Sequence, residues 1–188
     1  GPLRNHESND IRKIQKTMIA YDLTKIRMII FDVDGVLSNT TVEVTPEGQL
    51  LRTTNLKDVY AIQHACRSGL EIAILTGARD EYVRPLFESL GIKHIYVKAH
   101  YKLDCLKDLM QKTSLKPEEL AYMGDDMPDY EVMQQVGLSA CPCDAATDIR
   151  DIAHYVSPFA GGQGCGRDLI EQVLKAQEKW MNKETFIW

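Results

Sequence analysis

No apolar run in this chain of 188 residues approaches the ~18–20 residues that a membrane-spanning helix requires, so no membrane partner is expected. A basic excess is also missing. Lys and Arg number 22 against 27 Asp and Glu, a formal charge of −5 that argues against a nucleic-acid partner. The five cysteines (66, 105, 141, 143 and 165) are odd in number and form no paired framework, so reduced thiols and a cytoplasmic protein are expected. Cys141-Pro142-Cys143 has no second Cys/His pair at zinc spacing. Repeats, low-complexity segments and linkers are absent. With 44% apolar residues, the chain can bury one full core.

Residues 1–17 are polar and carry no secretory apolar region. Gly1-Pro2 resembles the scar of tag cleavage, and both a start at Met18 and a native extension fit. Residues 1–20 are therefore set aside as a scar or extension, 21–182 are read as a single domain, and 183–188 as a C-terminal tail. Within the domain, short β-branched runs alternate with amphipathic stretches. Strands are expected at 26–34, 70–75, 94–97, 120–123, 138–141 and 154–156. Helices are expected at 58–68, 79–90, 102–113, 129–136, 145–153 and 166–180. Residues 36–55 read as two extended arms about the turn Pro46-Glu47-Gly48, a β-hairpin. The fold class is α/β: a doubly wound, Rossmann-like parallel sheet with helices on both faces, a hairpin insert and no cap domain.

Ligands of such sheets bind beyond the carboxyl ends of the strands. Those ends carry Asp32-Val33-Asp34-Gly35, Thr76-Gly77 and Gly124-Asp125-Asp126, with Asp129 one turn on and Lys102 opening the helix after the third strand. Taken singly, each has a plain structural use as a turn, a helix cap or a solvated surface group. Together, in this order along one edge, they suit phosphoryl transfer through an aspartyl phosphate. A carboxylate can attack phosphorus and split one difficult displacement into two easier ones. An anionic phosphate repels that carboxylate, so a divalent cation is expected between them, and Mg²⁺ suits an all-oxygen site. Asp32 and Asp34 stand at i and i+2, so their side chains are expected on one side of the strand end. One attacks while the other, protonated, serves the leaving oxygen and then acts as base toward water. Thr76, the neighbouring backbone N–H groups of Gly77 and Ala78, and Lys102 would hold phosphoryl oxygens.

The runs FDVDGVLS (31–38), LTG (75–77), Lys102 and MGDDMPD (123–129) resemble the haloacid dehalogenase superfamily of phosphatases. More closely, residues 24–180 are similar to the 3-deoxy-D-manno-octulosonate 8-phosphate phosphatases, through TTNLKDVYAI (53–62) and GGQGCGRD (161–168) as well. The resemblance implies a phosphatase of lipopolysaccharide sugar biosynthesis acting on a phosphorylated sugar acid with Mg²⁺. Asp32 matches the nucleophile and a metal ligand. Asp34 matches the general acid/base, its backbone carbonyl also on the metal. Thr76 and Lys102 match the phosphate-binding pair and Asp125 the second metal carboxylate, with Asp126 and Asp129 supporting the metal shell. Asn55, Lys57 and Asp58 fall where the family contacts substrate. The chain departs where the family commonly has arginine: Ala78 follows Thr-Gly, with Arg79 next, Arg84 stands near Leu86, and Lys57 offers a point charge in place of a fork.

The intervals 34–76 and 76–102 leave no room for a cap. The resemblance implies a homotetramer in which a neighbour's hairpin covers the site. The 161–168 loop is expected to reach toward a site with Arg167 at its tip; its glycine spacing does not fit a nucleotide fingerprint. A receiver domain would place its acidic pair first and its phosphorylated Asp after a middle strand, which is not the order here. A silent structural domain would be expected to lose motif residues, and none is lost. A phosphatase for a nine-carbon keto-deoxy sugar 9-phosphate remains the alternative within enzymes.

Overall fold

A computed structural model of the chain describes residues 18–79 and 83–188. The extension through residue 17 and the first turn of the helix expected from 79 lie outside the described residues. Six parallel strands form one sheet: β1 (Met28–Phe31), β4 (Glu71–Leu75), β5 (His94–Tyr96), β6 (Leu120–Met123), β7 (Leu138–Cys141) and β8 (Tyr155–Val156), in the order β5-β4-β1-β6-β7-β8. The chain winds outward from β1 through β4 to β5, then returns to the other side of β1 at β6. The switch point of the sheet thus lies between β1 and β6, where a ligand crevice is expected.

Alternation along the strands buries both faces. Ile29, Phe31, Ile72, Ile74, Ala121 and Met123 face one way, covered by α1 (Leu56–Arg67), α2 (Val83–Ser89) and α6 (Cys165–Ala176). Met28, Ile30, Ala73, Leu75, Leu120 and Tyr122 face the other, covered by α3 (Lys102–Thr113), α4 (Tyr130–Met133) and α5 (Thr147–Ile152). Strands buried on two faces need apolar residues at every position, which is why β1 and β6 read as continuous runs.

Three local expectations are corrected. The first hairpin arm is mostly not strand: Val33–Leu37 forms a wide turn closed by Ser38 N–H on the Val33 carbonyl (3.0 Å), and only β2 (Glu43–Val44) and β3 (Leu50–Leu51) pair. Gly48, at φ +82°, supplies the left-handed residue of the tight connection. The helix expected over 129–136 shrinks to α4: a 3₁₀ turn (Met127–Asp129) containing Pro128 precedes it, and the chain leaves the helix after Met133. The closing helix stops at Ala176, short of Trp180, where Glu178 adopts φ +58°. Beyond it the tail folds back on α1: the Trp188 ring stacks on Tyr60 (6.0 Å, 4°), and Arg67 donates to the carbonyls of Ile187 and Trp188.

None of the five cysteines is paired, and among the described residues no helix is long and apolar enough to cross a membrane.

Candidate active site

At the switch point, β1 delivers Asp32 and β6 delivers Gly124 and Asp125. Asp32 continues the face of Met28 and Ile30, so it points toward α3, where Lys102 occupies the first helical position. The ammonium lies 3.1 Å from Asp32 Oδ2 and 2.7 Å from Asp129 Oδ1. Burial pulls the Lys102 pKa down, and the two carboxylates more than offset this, so the group stays charged.

Asp129 is fully buried and saturated with donors. Its Oδ1 accepts from Lys102 and from the Tyr122 hydroxyl (2.5 Å), and its Oδ2 from the backbone N–H groups of Asp125 (3.0 Å) and Asp126 (3.4 Å). A side chain with every lone-pair direction occupied is a brace for its neighbours. Room for it depends on Gly124, whose added Cβ would fall 2.5 Å from the Asp129 Cβ. Asp126 is exposed and caps the 3₁₀ turn through Met127 N–H (2.8 Å).

Carboxylate oxygens of Asp32, Asp125 and Asp129 lie within 4.8 Å of one another. Three carboxylates against one ammonium leave two negative charges uncompensated. The consequence shows in their proton affinities: burial and then Asp129 push Asp125 up to about 7, and the same two causes raise Asp32 well above the usual carboxylate range. With Asp129 committed to its donors, Asp32 and Asp125 remain as hard oxygen ligands. Space beside them is kept by Gly35, at φ +79°, whose Cβ would sit 1.9 Å from Asp125 Oδ2. The donor set fits a hard divalent cation of the Mg²⁺ kind.

A pH dependence follows. Below about 7 a proton competes for Asp125, so apparent Mg²⁺ affinity should weaken by up to about tenfold per pH unit. A folded-state pKa above the unfolded value 3.8 also means that the metal-free protein loses this group's contribution as pH rises through that window. The upward Tm shift given by saturating Mg²⁺ should therefore be larger at pH 8 than at pH 6. A shift independent of pH would contradict the assignment.

Strand geometry ends at Phe31, and the Asp34 carboxylate is held from the hairpin, where Arg52 Nε meets Oδ1 at 2.7 Å and Nη2 meets Oδ2 at 3.2 Å. The resemblance assigns its backbone carbonyl, and not this carboxylate, to the metal. Thr76 is buried at the end of β4, where its hydroxyl accepts from Ala78 N–H (3.1 Å). Gly77, Ala78 and Arg79 line an open groove of about 560 Å³ beside Asp34 and Arg52.

The remaining candidates lie further round. Asn55 caps α1 by accepting from Lys57 and Asp58 N–H and donates to the Gly162 carbonyl (3.2 Å). Lys57 is exposed on the first turn of that helix. Asp58 is 2% exposed and accepts from Arg167 N–H (2.7 Å); burial pushes its pKa up to about 6. The 161–168 stretch does reach the site's turn, with Gly162 N–H on the Val36 carbonyl (2.8 Å). Arg167 is not its tip: it lies in the first turn of α6 with its guanidinium 4.7 Å from the centre of the Trp180 ring. The apolar stem and planar head of arginine favour that stacked placement over a solvated one.

Two participants were not singled out from the sequence: Tyr122, in the core of β6, and Arg52, on the hairpin. Only the polar tip of the tyrosine hinted at a buried partner.

Comparison with known proteins agrees with this architecture. The profile of haloacid dehalogenase-like hydrolases matches residues 94–165. The 3-deoxy-D-manno-octulosonate 8-phosphate phosphatase of Escherichia coli is 40% identical over 154 residues, 82% of each chain. The crystal structure of the phosphatase of that name from Yersinia pestis superposes with a TM-score of 0.81 at 37% identity, covering 84% of this chain and 85% of that one. The Moraxella catarrhalis phosphatase, solved with magnesium ion, phosphate ion and KDO, superposes with a TM-score of 0.79 at 30% identity over 84% and 90% of the two chains.

Proposed function

The chain belongs to the family of 3-deoxy-D-manno-octulosonate 8-phosphate phosphatases, and on that premise we propose how its own residues carry out the reaction, hydrolysis of that sugar-acid phosphate to the free acid and inorganic phosphate. The observation that carries the reading is the buried group of Asp32, Asp125, Asp129 and Lys102 at the switch point of the sheet.

Asp32 attacks phosphorus, and the P–O bond to the sugar breaks as an aspartyl phosphate forms. Asp34 gives its proton to the departing sugar oxygen, then takes one from the water that cleaves the aspartyl phosphate. Lys102, held by Asp129, and the Thr76 hydroxyl bind the phosphoryl oxygens and offset the charge that develops there. Asp32, Asp125 and the Asp34 carbonyl would hold Mg²⁺, which when bound screens the repulsion between carboxylate and phosphate. Asp126 and Asp129 keep the Asp125 loop in place, and Asn55, Lys57, Asp58 and Arg79 border the sugar end.

The hairpin supports a homotetramer in which it closes a neighbour's site, in a cytoplasmic protein. Val44, Leu50 and Leu51 are 61%, 40% and 48% exposed, a concentration of apolar surface unusual for a free arm. Phosphate release from the sugar-acid phosphate in Mg²⁺, and none in excess chelator, tests the reaction. Sedimentation of a Val44→Glu/Leu51→Glu variant tests the assembly. It should dissociate and lose activity together, whereas a fully active monomer would overturn the shared site.

A further inference from the structure

The reaction as read above gives Arg52 no task, yet this residue makes the most complete contact of any with Asp34. The guanidinium spans both carboxylate oxygens, at 2.7 and 3.2 Å, and the Ser38 hydroxyl adds a contact to Oδ1 at 3.3 Å. The arginine side chain is 15% exposed and the aspartate 45%, so the pair is anchored from the hairpin side and open on the acid's side. A carboxyl group gripped by two N–H donors cannot turn its proton toward a leaving oxygen. For Asp34 to act, the grip has to open.

What could open it is suggested by the groove. Arg52 lines the same open space of about 560 Å³ as Asp34, Gln49, Ala78 and Arg79. Among the described residues that line it, two carry a guanidinium group and one a carboxylate. Ala78 offers no charge of its own, so recognition of an anionic group there falls to the two arginines. A substrate carboxylate has the planar, two-oxygen shape of the Asp34 carboxylate, and an arginine fork pairs with either in the same geometry.

We propose that Arg52 selects for sugar acids by exchanging carboxylates. Before substrate binds it holds Asp34, and on binding it takes the substrate's carboxylate and releases Asp34 to the leaving oxygen. The exchange puts one carboxylate in place of another in the same fork, so its cost is small compared with breaking the pair outright, and Asp34, 45% exposed, takes from solvent the proton it then gives to the leaving oxygen. A neutral sugar phosphate offers nothing to trade, and the grip stays closed. Selectivity then arises both from the pair gained and from the acid unlatched. The inference rests on the phosphatase reading and adds to it a specificity-determining residue.

The test is kcat/KM of the Mg²⁺-loaded protein on a phosphorylated eight-carbon sugar acid and on a neutral hexose 6-phosphate, for wild type, Arg52→Gln and Arg52→Lys. In Arg52→Gln the sugar acid should lose about 10- to 100-fold, the scale of a charge-assisted pair. The neutral sugar should gain severalfold, because Asp34 is no longer held. Arg52→Lys, which keeps the charge and loses the fork, should fall between. An acid-to-neutral ratio in Arg52→Gln within about threefold of wild type would overturn the proposal, including the case where both substrates fall together through damage to the hairpin. Wild-type protein that releases no phosphate from any sugar acid would overturn the phosphatase reading as well, a result distinct from an unmoved ratio.

Discussion

Asp32→Asn is expected to lower turnover by about 10⁴-fold or more while leaving the protein folded, because the substitution removes the group assigned to attack phosphorus and keeps its shape. Asp32 lies at the end of a strand buried on both faces, with its Oδ1 already accepting from Val33 N–H at 2.7 Å. Asparagine can keep that bond through its amide oxygen. It also removes one of three crowded carboxylates, so the metal-free variant should melt no lower than wild type. Near wild-type turnover, checked by phosphate release, would remove Asp32 from the centre of the account.

Lys102→Met is expected to damage activity and stability at once. The Lys102 side chain is 3% exposed and that of Asp129 1%, so the variant strands a buried carboxylate without its cation. Breaking such a pair costs roughly 3–5 kcal/mol, which for a chain of this size corresponds to a fall in Tm of about 10 °C. The assignment of Asp129 as a brace adds a second expectation. Lys102→Met/Asp129→Asn should regain part of the lost stability, since one of the two carboxylates left without the ammonium is gone, and none of the activity. A single variant melting within about 2 °C of wild type would show that the pair is weakly coupled to the fold.

The sequence carried much of this arrangement because the strands are buried on both faces. The limits of β6 and α3 are read to the residue from an unbroken apolar run and from the 3.6-residue pattern after Tyr101. Once those limits stand, the positions of Asp32, Thr76, Lys102 and Asp125 follow from the rule that parallel strands end on one edge. The partner of Asp34 did not follow. Period-two alternation holds only while the chain is extended, and beyond Phe31 the chain turns through Val33–Leu37, with Gly35 at φ +79° three residues after the nucleophile.

Arg52 was hidden for another reason. A charged residue in a short hairpin has no periodicity to betray it, and its partner lies 18 residues away across a turn. Tyr122 was hidden by its own strand, where an aromatic is the ordinary filling of a core. Arg167, read as a charged tip, was misplaced because nothing in the local pattern announces that Tyr60 and Trp180 offer it ring faces.

The most direct measurement of the central claim is mass analysis of acid-quenched reactions. Protein mixed with Mg²⁺ and 3-deoxy-D-manno-octulosonate 8-phosphate, quenched within the first turnover and digested, should yield the peptide containing Asp32 heavier by one phosphoryl group, with no such peptide from Asp32→Asn. Phosphate released at the wild-type rate with that peptide unmodified at every quench time would mean that water attacks directly, and would contradict the account.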